Sequence, residues 1–174
     1  MAAKSELDRG LASPQISVPA LAVVSGSFLS GAMMSLSAFA VPVLLDTIRD
    51  PHHMAAQWAR LYHYGHIYLP GLCIATCGLY GLASYNRRQG LRRRASFRYA
   101  LAAVSTIAMV PFTWVVMTPT NNLLFSLAAA DPAHDQGQAR GLVVRWAWMH
   151  VARSLTPLLG AFLGFSTILQ EIRA

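Results

Sequence analysis

Acidic residues are scarce in this chain: seven Asp and Glu stand against 14 Lys and Arg in 174 residues. Charged residues of both signs make up only 12%, against roughly 25% in an ordinary soluble domain. Long segments have no charge at all. No Asp, Glu, Lys or Arg occurs from Leu11 to Leu45, from Leu61 to Asn86, or from Tyr99 to Ala130. A fourth run, Trp146 to Gln170, is broken only by Arg153. The chain also lacks a Gly-rich phosphate loop, a nucleophile elbow and a paired-acid motif, which removes the chemistries those motifs carry. Cysteine is limited to Cys73 and Cys77. Their spacing matches no CxxC motif, and a helix holds i and i+4 side chains side by side without favouring a disulfide, so packing thiols are expected.

What is present is apolar: 55% of residues are hydrophobic and the mean hydropathy is +0.41. A helix needs about 20 apolar residues to cross a bilayer, and 18 or more without charge is the working threshold. The four runs predict an all-α fold, an integral membrane four-helix bundle in one domain, with spans at about 18–45, 62–85, 97–117 and 144–169. Residues 1–16 form a polar N-terminal segment of mixed charge. The apolar run that follows is too long for the core of a signal peptide and is expected to remain as the first span. The net charge of +7 does not indicate nucleic acid. Arg87, Arg88, Arg92, Arg93, Arg94 and Arg98 crowd the loop between the second and third spans, the positive-inside pattern that orients a membrane protein. Both termini are then cytoplasmic, with anionic-lipid contact by the Arg loop as a lesser possibility.

Asp50-Pro51 has the form of a helix start, an N-cap aspartate followed by proline at the first helical position. Thr118-Pro119 repeats that form and predicts a short lumenal helix to about Ala129. Asp131-Pro132 offers a third. In the first span Ser27, Gly31 and Ser35 recur at spacing four beside Gly26 and Ser30, and Gly160 and Gly164 form a GxxxG in the fourth. Both patterns predict close helix packing. Pro70 and Pro157 lie within spans and free the carbonyls of His66 and Arg153. Pro111 is the third intramembrane proline.

Arg153 is the sharpest single feature. An Arg near the centre of a membrane helix costs about 2.5–3.5 kcal/mol on insertion scales, so it should face the bundle interior or a cavity. The spans offer it no carboxylate. Snorkelling to the interface, or capping free carbonyls, is the structural alternative to an anion-stabilising role. Trp146, His150 and Arg153 fall at i, i+4 and i+7, on one helical face; Trp58, Tyr62 and His66 fall at i, i+4 and i+8. The third span ends at the same depth with Thr113, Thr118, Thr120, Asn121 and Asn122. The predicted arrangement is a polar pocket inside the bundle, rimmed by Thr-Pro-Thr-Asn-Asn. Trp58, Tyr62 and Trp146 also fit as interfacial anchors, and Asn121 as a helix-end partner. His63, His66 and His150 together suffice for copper or iron, although no compact metal-binding motif joins them.

The order "QWARLYHYGHIYLP", then "PFTWVVMTPTNNLL", then "LVVRWAWMHVARSLTP" resembles the fungal anthrone oxygenase family, small four-helix membrane proteins of aromatic polyketide pathways. The resemblance runs from about Gly31 to Gly164 and rests on Trp58, Tyr62, Gly65 and Pro70, on Pro111, Thr113, Pro119, Thr120 and Asn121, and on Trp146 with Arg153. It implies oxidation of an anthrone, a flat tricycle with an acidified methylene, to an anthraquinone by molecular oxygen. In that role His66 is the base, with His150 or His63 as alternatives, and Arg153 stabilises the anthronolate. Asn121, Thr120 and Tyr62 hold ring hydroxyls, while Trp58 and Trp146 stack on the rings. The resemblance implies no cofactor beyond oxygen. Two other readings stand beside it: a copper-, iron- or haem-dependent membrane oxidoreductase, and a non-catalytic bundle that binds a lipophilic ligand or scaffolds other proteins. The partners expected are a small aromatic substrate and the lipid bilayer, with a homo-oligomer or pathway enzymes as further candidates. The membrane expected is the endoplasmic reticulum.

Overall fold

A computed structural model describes residues 17–88, 93–129 and 138–173. The N-terminal segment, Arg92, the Asp131-Pro132 cap and His134 lie outside the described residues. Four helices are long and apolar enough to cross a membrane: Val18–Thr47, Pro51–Tyr85, Arg93–Ala129 and Gln138–Arg173. Among the described residues there is no strand. The chain is an integral membrane four-helix bundle.

The first span comprises α1 (Val18–Ser35), a π-helical turn (Leu36–Ala40) and α2 (Val41–Thr47). The second is a single helix, α3 (Pro51–Tyr85). The third comprises α4 (Arg93–Ile107), α5 (Met109–Phe112), a second π turn (Thr113–Met117) and α6 (Thr118–Ala129). The fourth is α7 (Gln138–Arg173). At the start of α3 the backbone of Asp50 is extended, and its Oδ2 accepts from the His53 N–H at 2.8 Å. This is the cap expected from Asp50-Pro51, with a proline ring where the helix has no use for an N–H.

Both π turns have the same cause. Pro42 and Pro119 each stand two residues after a π segment. A proline ring inside a regular helix collides with the carbonyl four residues earlier. Here the preceding turn is widened, and Val41 N–H reaches the Leu36 carbonyl while Thr118 N–H reaches that of Thr113. A helix does run from Thr118 to Ala129, as the sequence predicts. It continues the third span, which passes through Thr118 without leaving the helical region. The break that does occur, at Ala108, directly follows Ile107, the residue whose carbonyl Pro111 leaves without its helical donor.

Hydrogen bonds join each neighbouring pair of spans around the bundle. Ser25 and Thr76 meet at 2.6 Å, and Ser84 donates to the Ser96 carbonyl at 2.9 Å. Ser105 reaches the Thr156 carbonyl at 2.8 Å, and Ser30 that of Ser154 at 2.9 Å. In lipid the hydrophobic effect does little to pair helices, and contacts of this kind contribute about 0.6 kcal/mol each alongside close packing. The small residues used for that packing differ from expectation. Gly26 and Ser30 are buried, with Gly26 set against Thr76 and Ala161, whereas Ser27 and Gly31 are exposed and Gly31 has open space beside it. The 3.6-residue period places Ala22, Gly26, Ser30 and Met33 inward, and the Ser27–Gly31 pair one step around the helix points outward. Gly160 and Gly164 do pack as predicted. A Cβ on Gly160 would come within 2.8 Å of the Ala102 carbonyl, and one on Gly164 within 2.7 Å of the Tyr80 ring.

Three buried clusters stack along the bundle. Near the chain termini lie Ala22, Tyr80, Ala83, Tyr99 and Ala102. Above them sit Leu29, Met33, Leu69, Cys73 and Met109. At the far end Trp58 and Trp146 are gathered with Val41, Met117 and Leu124. Cys73 and Cys77 are free thiols whose sulfurs face the Thr106 and Ala103 carbonyls, as expected of packing residues.

Candidate active site

A cavity of about 250 Å³ lies between the middle cluster and the aromatic one. All four spans contribute: Leu36 from the first, Tyr62 and His66 from the second, Thr113 and Trp114 from the third, and Trp146, His150 and Arg153 from the fourth. The sequence placed Trp146, His150 and Arg153 on one face, and all three line the cavity. The other predicted stripe diverges. Each step of four residues advances a helix by about 40° beyond a full turn, so a run of i, i+4, i+8 drifts around the axis. Trp58 is 0% exposed in the core, Tyr62 is intermediate, and His66 is exposed at the rim. The three rings still touch in sequence, Trp58 to Tyr62 at 5.4 Å and Tyr62 to His66 at 5.6 Å, the latter nearly parallel.

The cavity opens sideways. The second span packs against Arg93–Ile107 and Thr118–Ala129 of the third but pulls away from the stretch between them. That gap is where the cavity lies, and Trp114, 71% exposed, stands at its edge opposite His66. The opening thus faces the lipid side of the bundle.

Arg153 is held at both ends of its guanidinium. Nη1 donates to Thr113 Oγ1 and Nη2 to His150 Nε2, each at 2.8 Å. His150, 1% exposed, lies against Trp146 with ring centroids 4.5 Å apart, and its Nδ1 faces the Ser37 hydroxyl at a longer 3.4 Å. The carbonyl of Arg153 freed by Pro157 accepts from Thr156 Oγ1 at 3.0 Å, so the kink is satisfied within its own helix. Two buried donors on cavity-lining residues, Arg153 Nε and Trp146 Nε1, have no hydrogen-bond partner among the described residues. Both atoms are enclosed by the packing around the cavity, and buried polar groups are rarely left so.

The Thr-Pro-Thr-Asn-Asn stretch is not the rim of this cavity. Thr120 and Asn121 are buried and do not line it, Asn122 is exposed, and the Thr118 hydroxyl turns back to the Thr113 carbonyl at 3.1 Å. Continuity of the third span moves these residues beyond the cavity toward the aromatic end. Trp58 is likewise core there, edge-on to Trp146 at 5.8 Å and to Phe125 at 5.1 Å. Nor are the alternative metal ligands His63, His66 and His150 assembled. Among the described residues no three His, Cys, Asp or Glu side chains are grouped closely enough to hold a metal ion. His63 and His66 touch at 5.6 Å, whereas Nε2 of His150 is taken by Arg153. Ser37 and Trp114 were not singled out from the sequence. The prolines five residues after each, Pro42 and Pro119, are the signal that marks those turns.

The anthrone oxygenase family model matches residues 58–163, the segment that carries every cavity residue except Leu36. An anthrone oxygenase of Aspergillus novofumigatus is 58% identical over 156 residues, 90% of this chain and 96% of that protein. One from Claviceps purpurea is 45% identical over 165 residues, covering 92% of each. A monooxygenase of Dothistroma septosporum is 42% identical over 86% of this chain and 81% of its own length. No solved structure matches the chain. The chain belongs to the anthrone oxygenase family.

Proposed function

We propose that the cavity oxidises an anthrone or a closely related aromatic polyketide to the quinone, with molecular oxygen as co-substrate and no bound cofactor. The observation that carries this is the Arg153 guanidinium, held by the neutral acceptors Thr113 and His150, on a cavity otherwise walled largely by aromatic and aliphatic groups. Such a site suits a flat apolar molecule bearing an oxygen that gains negative charge. His66 takes a proton from the methylene, and the charge spreads onto the ring oxygen beside Arg153. The resulting anthronolate transfers electrons to oxygen, a hydroperoxide forms at the former methylene carbon, and loss of water leaves the second carbonyl. One oxygen atom ends in the product and the other in water. Tyr62 and Trp146 flank the rings. Trp58, Thr120 and Asn121 support this wall from behind.

A lipophilic substrate is concentrated in the bilayer, and the gap between the second and third spans gives it a lateral entrance. The remaining parts of this reading are an endoplasmic reticulum location, cytoplasmic termini beside the Arg-rich loop, and self-association or contact with other pathway enzymes.

The test is turnover of emodin anthrone by purified protein in detergent, started anaerobically and then exposed to oxygen, beside His66→Ala and with metal content measured on the same sample. Quinone formation well above the spontaneous rate, lost in His66→Ala and independent of metal, is the expected result. Activity that follows bound metal, or no acceleration at all, overturns the cofactor-free oxidation.

A further inference from the structure

His150 is the most deeply buried polar side chain lining the cavity, and its position in the chain invites the role of a second base. The hydrogen bonds argue otherwise. A guanidinium has five N–H donors and no acceptor, so the 2.8 Å contact between Arg153 Nη2 and His150 Nε2 requires a lone pair on Nε2. The ring proton is then on Nδ1, where the Ser37 oxygen lies at 3.4 Å. Ser37 in turn gives its proton to the Ala147 carbonyl at 3.2 Å. On the other arm, Thr113 accepts from Arg153 Nη1 and gives its proton to the Met109 carbonyl, both at 2.8 Å. The donors run outward from Arg153 along both arms, through His150 and Ser37 on one side and through Thr113 on the other, with no clash of protons. The two π turns begin or lie at its ends: Ser37 sits in the first and Thr113 opens the second.

We propose that His150 is a positioning residue, a fixed hydrogen-bond acceptor that together with Thr113 aims the Arg153 guanidinium into the cavity, and that the π turns of the first and third spans are there to complete this clamp. His150 does not exchange a proton with substrate, because protonating Nε2 breaks the bond that holds Arg153. Its contact with the Trp146 ring, tilted by 30° at 4.5 Å, restrains the ring plane, and the Ser37 oxygen beside Nδ1 suits a proton on that nitrogen. Two of the five guanidinium donors are committed to the clamp, and the second N–H of each terminal nitrogen is left for a substrate oxygen. This inference rests on the proposed oxidation for its catalytic meaning, while the clamp is a property of the protein without substrate.

The test combines a spectroscopic and a kinetic readout. In protein labelled with nitrogen-15 histidine and held in lipid nanodiscs, the His150 signals are assigned by their loss in His150→Gln. The expected result is a neutral ring with the proton on Nδ1, and an Nε2 signal that moves in Arg153→Gln. A proton on Nε2 overturns the proposal. In turnover, His150→Ala is expected to lose about 10²-fold in kcat with a smaller change in KM, the signature of an interaction used in the transition state. His150→Gln places an amide oxygen close to the position of Nε2 and is expected to restore most of that loss. Equal loss in both variants overturns the proposal and returns His150 to the list of bases. If His150→Ala does not fold, Thr113→Val removes the other arm of the clamp and is expected to show the same kcat-weighted loss; an unchanged kcat there counts against the clamp. Failure of the wild-type protein to oxidise the anthrone refutes the functional reading, and the nitrogen-15 spectrum then decides the clamp alone.

Discussion

Thr113 on the third span accepts a hydrogen bond from Arg153 on the fourth at 2.8 Å, forty residues away in sequence. A charged group with no carboxylate beside it among the described residues is thereby held by neutral acceptors, and its charge is left for whatever enters the cavity. Burial in protein and at membrane depth raises the worth of that charge, because water is not there to screen it.

Replacing Arg153 by lysine is expected to lower kcat for anthrone oxidation by about 10²-fold, close to the effect of Arg153→Ala. An ammonium keeps the charge but has no planar fork to meet Thr113 and His150 together. Steady-state kinetics in detergent, with size-exclusion profiles showing intact folding, checks this.

Gly65 lines the cavity, and a Cβ there would meet only the Leu69 and Leu36 methyl groups, at 3.8 and 4.0 Å. Gly65→Leu therefore adds bulk in the cavity proposed for the substrate, with no clash at its Cβ. A rise in KM of tenfold or more, about 1.4 kcal/mol, is expected for a tricyclic substrate. Thermal unfolding should change little.

Gly164 and Gly31 make a contrasting pair. A methyl group on Gly164 would stand 2.7 Å from Tyr80 Cε1 and 2.9 Å from Val23 Cγ2, while Gly31 has nothing within 4 Å. Gly164→Ala is expected to destabilise by about 1–3 kcal/mol through overpacking. Gly31→Ala should be neutral or slightly stabilising, within about 1 kcal/mol, since alanine favours helix. Unfolding midpoints of the two variants in one detergent decide the matter.

At the end of the bundle near the chain termini, Glu171 on the fourth span receives the Tyr99 hydroxyl at 2.9 Å and pairs with Arg87, whose guanidinium also lies over the Tyr99 ring at 4.9 Å. Arg98 meets Gln170 beside it. Glu171→Ala is expected to cost about 1–2 kcal/mol, less than a fully buried pair because the group is partly open to water. The difference from wild type should shrink in high salt, as screening predicts.

The sequence by itself determined the four spans, because charge is excluded from hydrocarbon whatever the tertiary arrangement. It also determined that Trp146, His150 and Arg153 share a face, since seven residues stay close to two helical turns. The Asp50-Pro51 cap was equally legible, being local chemistry. Only the tertiary structure decided which small residues of the first span touch a neighbour, because Gly26 and Gly31 carry the same local signal and differ only in the side facing the bundle. It alone decided that Thr120 and Asn121 lie behind the cavity and not at its rim. A proline read as a helix start proved compatible with a continuous span through one π turn, and that turn shifts the register of everything after it. Ser37 and His150 meet for the same reason: their contact depends on how two helices cross, and no spacing within either helix encodes it.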